Sequence, residues 1–200
     1  YCTEYVVQNK DREQRPEELL RGAVRYANRK VYEASGTPAG ASGMGTTLTC
    51  ALARQGEPVL YVGHVGDSRA YVTSDTGISL ITEDQSITGE LIRNGSITEE
   101  DAMRHPGRNV LTAALGTQSS VEVSIYRVDL SARDVVLLCT DGLTSLLSSK
   151  EVHSLILESP KDSVAQALVQ EANDRGGYDN VTVIMLWPEV TASFGAEAGW

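Results

Sequence analysis

At Gly36 the apolar period of this chain changes, and that change limits the folds open to it. Before it, "RPEELLRGAVRYANRKVYEAS" places Leu20, Val24, Ala27 and Val31 on one helical stripe, with Pro16 and two Glu residues suited to the first turn. Beyond it, "TTLTCALA", "PVLYVGHV", "SRAYVT" and "ISLIT" alternate with a period of two, joined by the short connections "RQGEP" and "SDTG". These read as consecutive antiparallel strands of one meander. Residues 83–116 return to short helical pieces punctuated by Gly and Pro, an inserted subdomain between strands. The strands resume with "VEVSIYRVDL", "DVVLLCT" and "NVTVIMLW", and "SKEVHSLILE" and "KDSVAQALVQEAND" form amphipathic helices between the last two. At the start, "YCTEYVVQN" gathers Tyr1, Cys2, Tyr5 and Val6 on one helical face. The expected class is α+β, with antiparallel sheets and helices packed on them.

Composition narrows the function classes. A chain of 200 residues with 41% hydrophobic content builds one domain with its own core. A net charge of −10 without a Lys/Arg cluster argues against nucleic acid and membrane partners, and it suits a site that holds divalent cations. Cys2, Cys50 and Cys139 share no metal-ligand spacing and read as buried thiols of a reducing compartment, which places the chain in the cytoplasm. No apolar stretch reaches the roughly 18 residues that span a bilayer, and no signal peptide opens the sequence. Tyr1 in place of an initiating Met suggests a beginning further upstream. Residues 188–200, rich in Ala, Gly and Glu, read as a weakly ordered tail.

The run "LLCTDGLTSLL", from Leu137 to Leu147, interrupts a strongly apolar strand with Asp141-Gly142. The strand "NVTVIML" begins just after Asp179-Asn180. If the two strands are antiparallel neighbours, both carboxylates sit at one edge of the sheet. Two unpaired carboxylates brought together out of water oppose each other's ionisation, and a divalent cation resolves that conflict. All-oxygen ligation favours Mg²⁺ or Mn²⁺, and Gly142 allows close backbone approach. Asp67 in "HVGDSRAY" also ends a strand and is a candidate third member. Taken singly, an Asp-Gly after a strand is also a turn, and Asp179 is also a loop cap. Arg69 reads as a local ion-pair partner of Asp67, "GMGTT" as a Gly-rich bend, and His64, His105 and His153 as structural residues. No Ser-His-Asp or Cys-centred constellation emerges, so no catalytic side chain is identified and a covalent mechanism lacks support.

In order, "GMGTT", "HVGDSRAYV", "LITEDQS", "HPGRNVLTAALG", "LLCTDGLTSLL" and "GGYDNVTVIML" resemble the metal-dependent protein phosphatases, the bacterial type 2C serine/threonine phosphatases, and more distantly the stage II sporulation protein E group. The resemblance covers residues 1–187. It implies an α-β-β-α sandwich of two antiparallel sheets flanked by helices, with a metal site at one end and residues 83–116 as a flap beside it. By the same resemblance Asp141 and Asp179 match metal ligands, with Gly142 and Asn180 shaping their loops, and Asp67 matches a position that helps bind a third metal. The implied reaction is hydrolysis of phosphoserine or phosphothreonine in a phosphoprotein by a water activated between two Mn²⁺ or Mg²⁺ ions.

The chain departs from the family at its start. The Asn-Glu-Asp-like element, the phosphate-binding Arg and the Asp-Gly-x-Gly-Gly motif with its metal-bridging Asp are absent, since Asp141-Gly142 is the sole Asp-Gly. Relative to the family the sandwich is truncated at its N-terminal side. Asp141 and Asp179 are then expected to hold one metal well and a second weakly, and the missing strands to leave sheet edges that a second copy could cover as a homodimer. Two readings follow: the major part of a serine/threonine phosphatase, or a non-catalytic phosphatase-like domain that binds a phosphoprotein or partner.

Overall fold

A computed structural model describes residues 1–11, 15–37 and 43–188. Of the expected tail, residues 189–200 lie outside the described residues, as does part of the connection after Gly36. The chain runs as helices α1 (Cys2–Asn9) and α2 (Pro16–Ser35), then strands β1 (Leu48–Ala53), β2 (Val59–Val65), β3 (Arg69–Ser74) and β4 (Gly77–Leu80). Helices α3 (Ile87–Arg93) and α4 (Glu99–Arg104) make up the insertion. Strands β5 (Ser124–Asp129) and β6 (Val135–Cys139), helices α5 (Asp141–Thr144), α6 (Ser149–Glu158) and α7 (Val164–Asp174), and strand β7 (Val183–Leu186) complete the fold.

The strands form two antiparallel sheets, ordered β1-β2-β5 and β4-β3-β6-β7. The expected meander is therefore corrected: β1–β2 and β3–β4 are hairpins, but β2 and β3 belong to different sheets. The chain crosses between them at Gly66, whose φ of +110° turns the backbone out of the first sheet. Two hydrogen bonds with Gln85 hold that crossing: Gly66 N–H donates to the Gln85 Oε1 at 2.9 Å, and Gln85 N–H to the Gly66 carbonyl at 2.7 Å.

Alternation along each strand sorts the core into layers. Leu60 and Val62 of β2 meet Ala70 of β3 and Val136 and Leu138 of β6 between the sheets. Leu137 and Cys139 of β6 point the other way, with Tyr71, toward Leu143, Val152 and Leu168 of the C-terminal helices. On the opposite side Val24 and Ala27 of α2 pack on Val65. The result is the α-β-β-α sandwich. Among the described residues β1, β5, β4 and β7 are edge strands, and Ile184 and Leu186 of β7 stay 49% and 37% exposed.

Local signals fix the helix ends. Pro16 begins α2, where its missing N–H goes unneeded. Capping boxes start α4 at Thr98 with Asp101 and α6 at Ser148 with Glu151. Hydrogen bonds from Ser148 and the nearby Arg175 hold the Glu151 carboxyl down to about 2, against an ordinary 4.5. A depressed carboxylate stabilises the fold above its unfolded pKa and ceases to do so as pH falls through its folded value. Glu151→Ala should therefore destabilise the chain by about 1 kcal/mol at pH 7 in urea unfolding, a difference that starts to shrink below about pH 4.5.

Candidate metal centre

Three strand ends meet at one end of the sandwich. Strand β6 delivers Thr140 and Asp141, and β7, its antiparallel neighbour, is preceded by Asp179 and Asn180, with Cys139 opposite Val183. The junction is locked by backbone and hydroxyl bonds. Thr140 N–H donates to the Thr182 carbonyl at 3.1 Å, Thr182 N–H to the Thr140 Oγ1 at 3.0 Å, and the Thr140 hydroxyl to the Asn180 carbonyl at 3.3 Å. Asn180 N–H in turn donates to the Asp179 Oδ1 at 2.7 Å. Asp141 is the first residue of α5 rather than part of a plain turn. Gly142 sits against Asn180, where a Cβ would overlap the Asn180 carbonyl oxygen, so the residue type there sets how closely the two acidic loops approach.

Asp67 reaches the same end from the crossing between β2 and β3. Burial pushes its carboxyl up to about 6, and the charges of Asp141 and Asp84 add to the effect. Burial likewise raises Asp141, reinforced by Asp179 and, more weakly, Asp84. Asp141 thus stands electrostatically between Asp67 and Asp179, as the sequence places them. Among the described residues no three acidic, imidazole or thiol groups are placed so that together they could hold a metal ion. The donor set instead suits a hard cation that keeps part of its water shell and takes one or two carboxylates, the habit of Mg²⁺ and Mn²⁺.

Arg69 corrects the sequence reading, because its guanidinium is not committed to Asp67. Nε and Nη2 donate to both oxygens of Asp84 at 2.8–3.1 Å, Nη1 donates to the Tyr71 hydroxyl at 3.1 Å, and Glu99 of α4 lies 3.5 Å from Nη1. Burial opposes the charge, and Asp84 outweighs that, holding the group above its ordinary range. Asp84 and Glu99 are site residues that sequence reasoning missed. The block "LITEDQS" contained Asp84, but nothing in it distinguished this acid from Glu83 beside it.

Each of the three histidines makes local hydrogen-bond contacts. His64 is fully buried, with Nδ1 2.9 Å from the Thr49 Oγ1 and Nε2 3.2 Å from the Glu83 carbonyl, and burial pushes its pKa down. His153 Nδ1 lies 2.7 Å from the Thr73 Oγ1, and His105 Nδ1 accepts from Gly107 N–H. The cysteines are free, but Cys139 alone is fully buried; Cys2 and Cys50 are half-buried between α1 and β1.

Two cavities flank the acidic centre. One of about 440 Å³ opens beside Asp67 and Asp141, between α4 and the α5–α6 junction, with Met103, Arg108 and Lys150 in its wall. The other, of about 480 Å³, lies on the Asp179 side and is lined by Tyr178, Asn180, Asn173 and Val181.

Comparison with known proteins bears on this arrangement. The family described as "Protein phosphatase 2C" matches residues 2–185. The serine/threonine phosphatase stp of Listeria monocytogenes serovar 1/2a (strain ATCC BAA-679 / EGD-e) is 37% identical over 177 residues, 88% of this chain and 69% of that protein. The protein phosphatase PhpP of Streptococcus pneumoniae serotype 2 is 33% identical over 160 residues, 80% of this chain and 64% of that protein. Among solved structures, the serine/threonine phosphatase Stp1 from Staphylococcus aureus superposes with a TM-score of 0.84 at 33% identity, covering 94% of this chain and 76% of that one. The catalytic domain of the serine threonine protein phosphatase PstP in complex with two manganese ions superposes with a TM-score of 0.77 at 30% identity, covering 92% and 77%. With the sandwich and the matched length of sequence agreeing, this chain belongs to the protein phosphatase 2C family.

Proposed function

We propose that this chain hydrolyses phosphoserine and phosphothreonine esters in proteins, with Asp141 and Asp179 as ligands of Mn²⁺ or Mg²⁺ and Asp67 as a further ligand. The observation that carries the reading is the convergence of the Asp141 and Asp179 loops, locked by the Thr140 bonds to Asn180 and Thr182, at the end of a fold shared with serine/threonine phosphatases. Like charges held together in this way are compensated by a cation. When bound, the cation supplies Lewis acidity and an activated water for attack at phosphorus.

The chain's own residues supply position and charge. The Thr140–Thr182–Asn180 bonds fix the separation of the Asp141 and Asp179 loops, and the Gln85 clamp on Gly66 fixes the backbone that carries Asp67. Gly142 permits the approach, and Asn180 holds the Asp179 carboxylate through its N–H. Arg108 and Lys150, in the cavity wall beside Asp141, offer cationic groups to an incoming phosphoryl group. No helix among the described residues is long and apolar enough to cross a membrane. The free thiols support a reducing, cytoplasmic setting.

The test is release of phosphate from a phosphothreonine peptide by the chain, with and without Mn²⁺, alongside calorimetric titration of Mn²⁺. Expected are turnover that requires Mn²⁺ and stops with a chelator, and measurable metal binding. Metal and peptide binding without turnover would support the non-catalytic phosphatase-like reading in its place. Absence of metal binding would overturn the assignment of Asp141, Asp179 and Asp67.

A further inference from the structure

The loop between Gly116 and β5 runs back along α2 and is pinned to it at both ends. Asn28, only 1% exposed, fixes the start: its Oδ1 accepts from Gly116 N–H at 2.8 Å, and its Nδ2 donates to the Gln118 carbonyl at 3.1 Å. Arg21, two turns earlier in the helix, fixes the end by donating to the Val123 carbonyl at 2.5 Å. Val123 is buried with Val24 and Ala27, and Val121 packs against the same cluster. Arg25 sits between the two anchors on α2, and the loop passes beside it.

Arg25 and Arg29 are the cations that this packing leaves over. On the same helix Lys30 pairs with Glu33, Arg15 at its start pairs with Glu18, and Arg21 is engaged with Val123. Among the described residues Arg25 has no hydrogen-bond or ion-pair partner, and Arg29 has only the Tyr26 ring, 5.4 Å from its guanidinium carbon. Both line a cavity of about 560 Å³ together with Ser119 and Ser120. Glu122 lines it too and pairs with neither arginine. The cavity shares no lining residue with either cavity of the metal centre.

In a chain of net charge −10, two unneutralised guanidiniums one helical turn apart beside a pinned loop favour a bound anion. A carboxylate offers two oxygens, enough for one guanidinium. A phosphate monoester offers three oxygens and close to two charges, enough for both guanidiniums and a serine hydroxyl together. The cavity also has room for the residues on either side of such a group.

We propose that Arg25 and Arg29, with Ser119 and Ser120, form a docking site for a phosphorylated segment of a partner protein, separate from the metal centre. The site goes beyond the hydrolytic reading and does not depend on it.

The test is fluorescence anisotropy of a labelled phosphoserine peptide in EDTA, where a metal at Asp141 and Asp179 cannot contribute. The peptide should bind the parent chain and its unphosphorylated form should not, and Arg25→Ala and Arg29→Ala should each weaken binding about 10-fold. Arg133→Ala, which removes an exposed cation elsewhere, should leave it unchanged, and Glu122→Gln should strengthen it about 2-fold. Arg25 is exposed and unpaired, so Arg25→Ala should melt with the parent and bind Mn²⁺ equally in calorimetry. Peptide binding that requires Mn²⁺, or that survives Arg25→Ala and Arg29→Ala combined, overturns the proposal. Equal binding of a peptide with Glu in place of phosphoserine also overturns it, in favour of a surface for acidic segments. Displacement of the peptide by inorganic phosphate at the peptide's own Kd overturns it in favour of a site for the free ion.

Discussion

Asp141→Asn should remove Mn²⁺ binding and at the same time raise the melting temperature of the metal-free chain. The two effects have one cause. Asp141 is the residue whose charge is opposed by burial, by Asp179 and by Asp84, and it raises Asp67 in its turn. Its amide counterpart keeps the shape and relieves that repulsion, which at this partly solvated end of the sandwich is worth on the order of 1 kcal/mol, or roughly 2–4 °C for a chain of this size. The same change deletes the carboxylate proposed as the central ligand. Affinity for Mn²⁺ should fall beyond the ~10–100-fold that loss of a mere supporting partner causes, and Mn²⁺-dependent turnover should vanish with it. Differential scanning fluorimetry with and without Mn²⁺ reads both. The parent should melt higher with metal, whereas the variant should melt at one temperature in either condition, above the metal-free parent. A variant that still gains stability from Mn²⁺ would show that Asp141 is not a ligand.

Asp141 and Asp179 were legible because strand pairing converts sequence pattern into position. Two alternating runs, each bounded by an acid, place those acids at one sheet end once the strands are antiparallel, and the pairing of β6 with β7 does so. The crossing from β2 to β3 was not legible. Three residues between two alternating runs satisfy a hairpin as well as a change of sheet, and the difference lies in the positive φ of Gly66 and in bonds to Gln85, 19 residues away. Arg69 shows the same limit. Asp67 is its neighbour in sequence, but Asp84 is brought to it by the hairpin and the first residues of the insertion.

Arg69→Met should cost about 3–5 kcal/mol in denaturant unfolding, several times the effect of any exposed ion pair in the chain. No buried side-chain nitrogen or oxygen among the described residues lacks a partner, and this substitution would create one at once. Asp84, only 12% exposed, would lose three hydrogen bonds and its counter-charge while remaining close enough to Asp67 and Asp141 to oppose their ionisation. The Tyr71 hydroxyl and Glu99 would lose the same partner, loosening the insertion from β3. Removing the stranded acid should restore most of the loss, so Arg69→Met with Asp84→Leu should be clearly more stable than Arg69→Met alone. The exposed pair of Arg133 with Asp75, 83% and 72% exposed, provides the contrast: Arg133→Met should change stability by less than about 0.5 kcal/mol. If Arg69→Met matched that small value, the guanidinium would not be what holds Asp84 in the fold. If the double variant were no better than the single one, the cost would arise from lost packing around Arg69 rather than from an uncompensated carboxylate. The expected pattern would instead make Arg69 the residue that lets a fourth acid sit beside the three proposed metal ligands without competing for a cation.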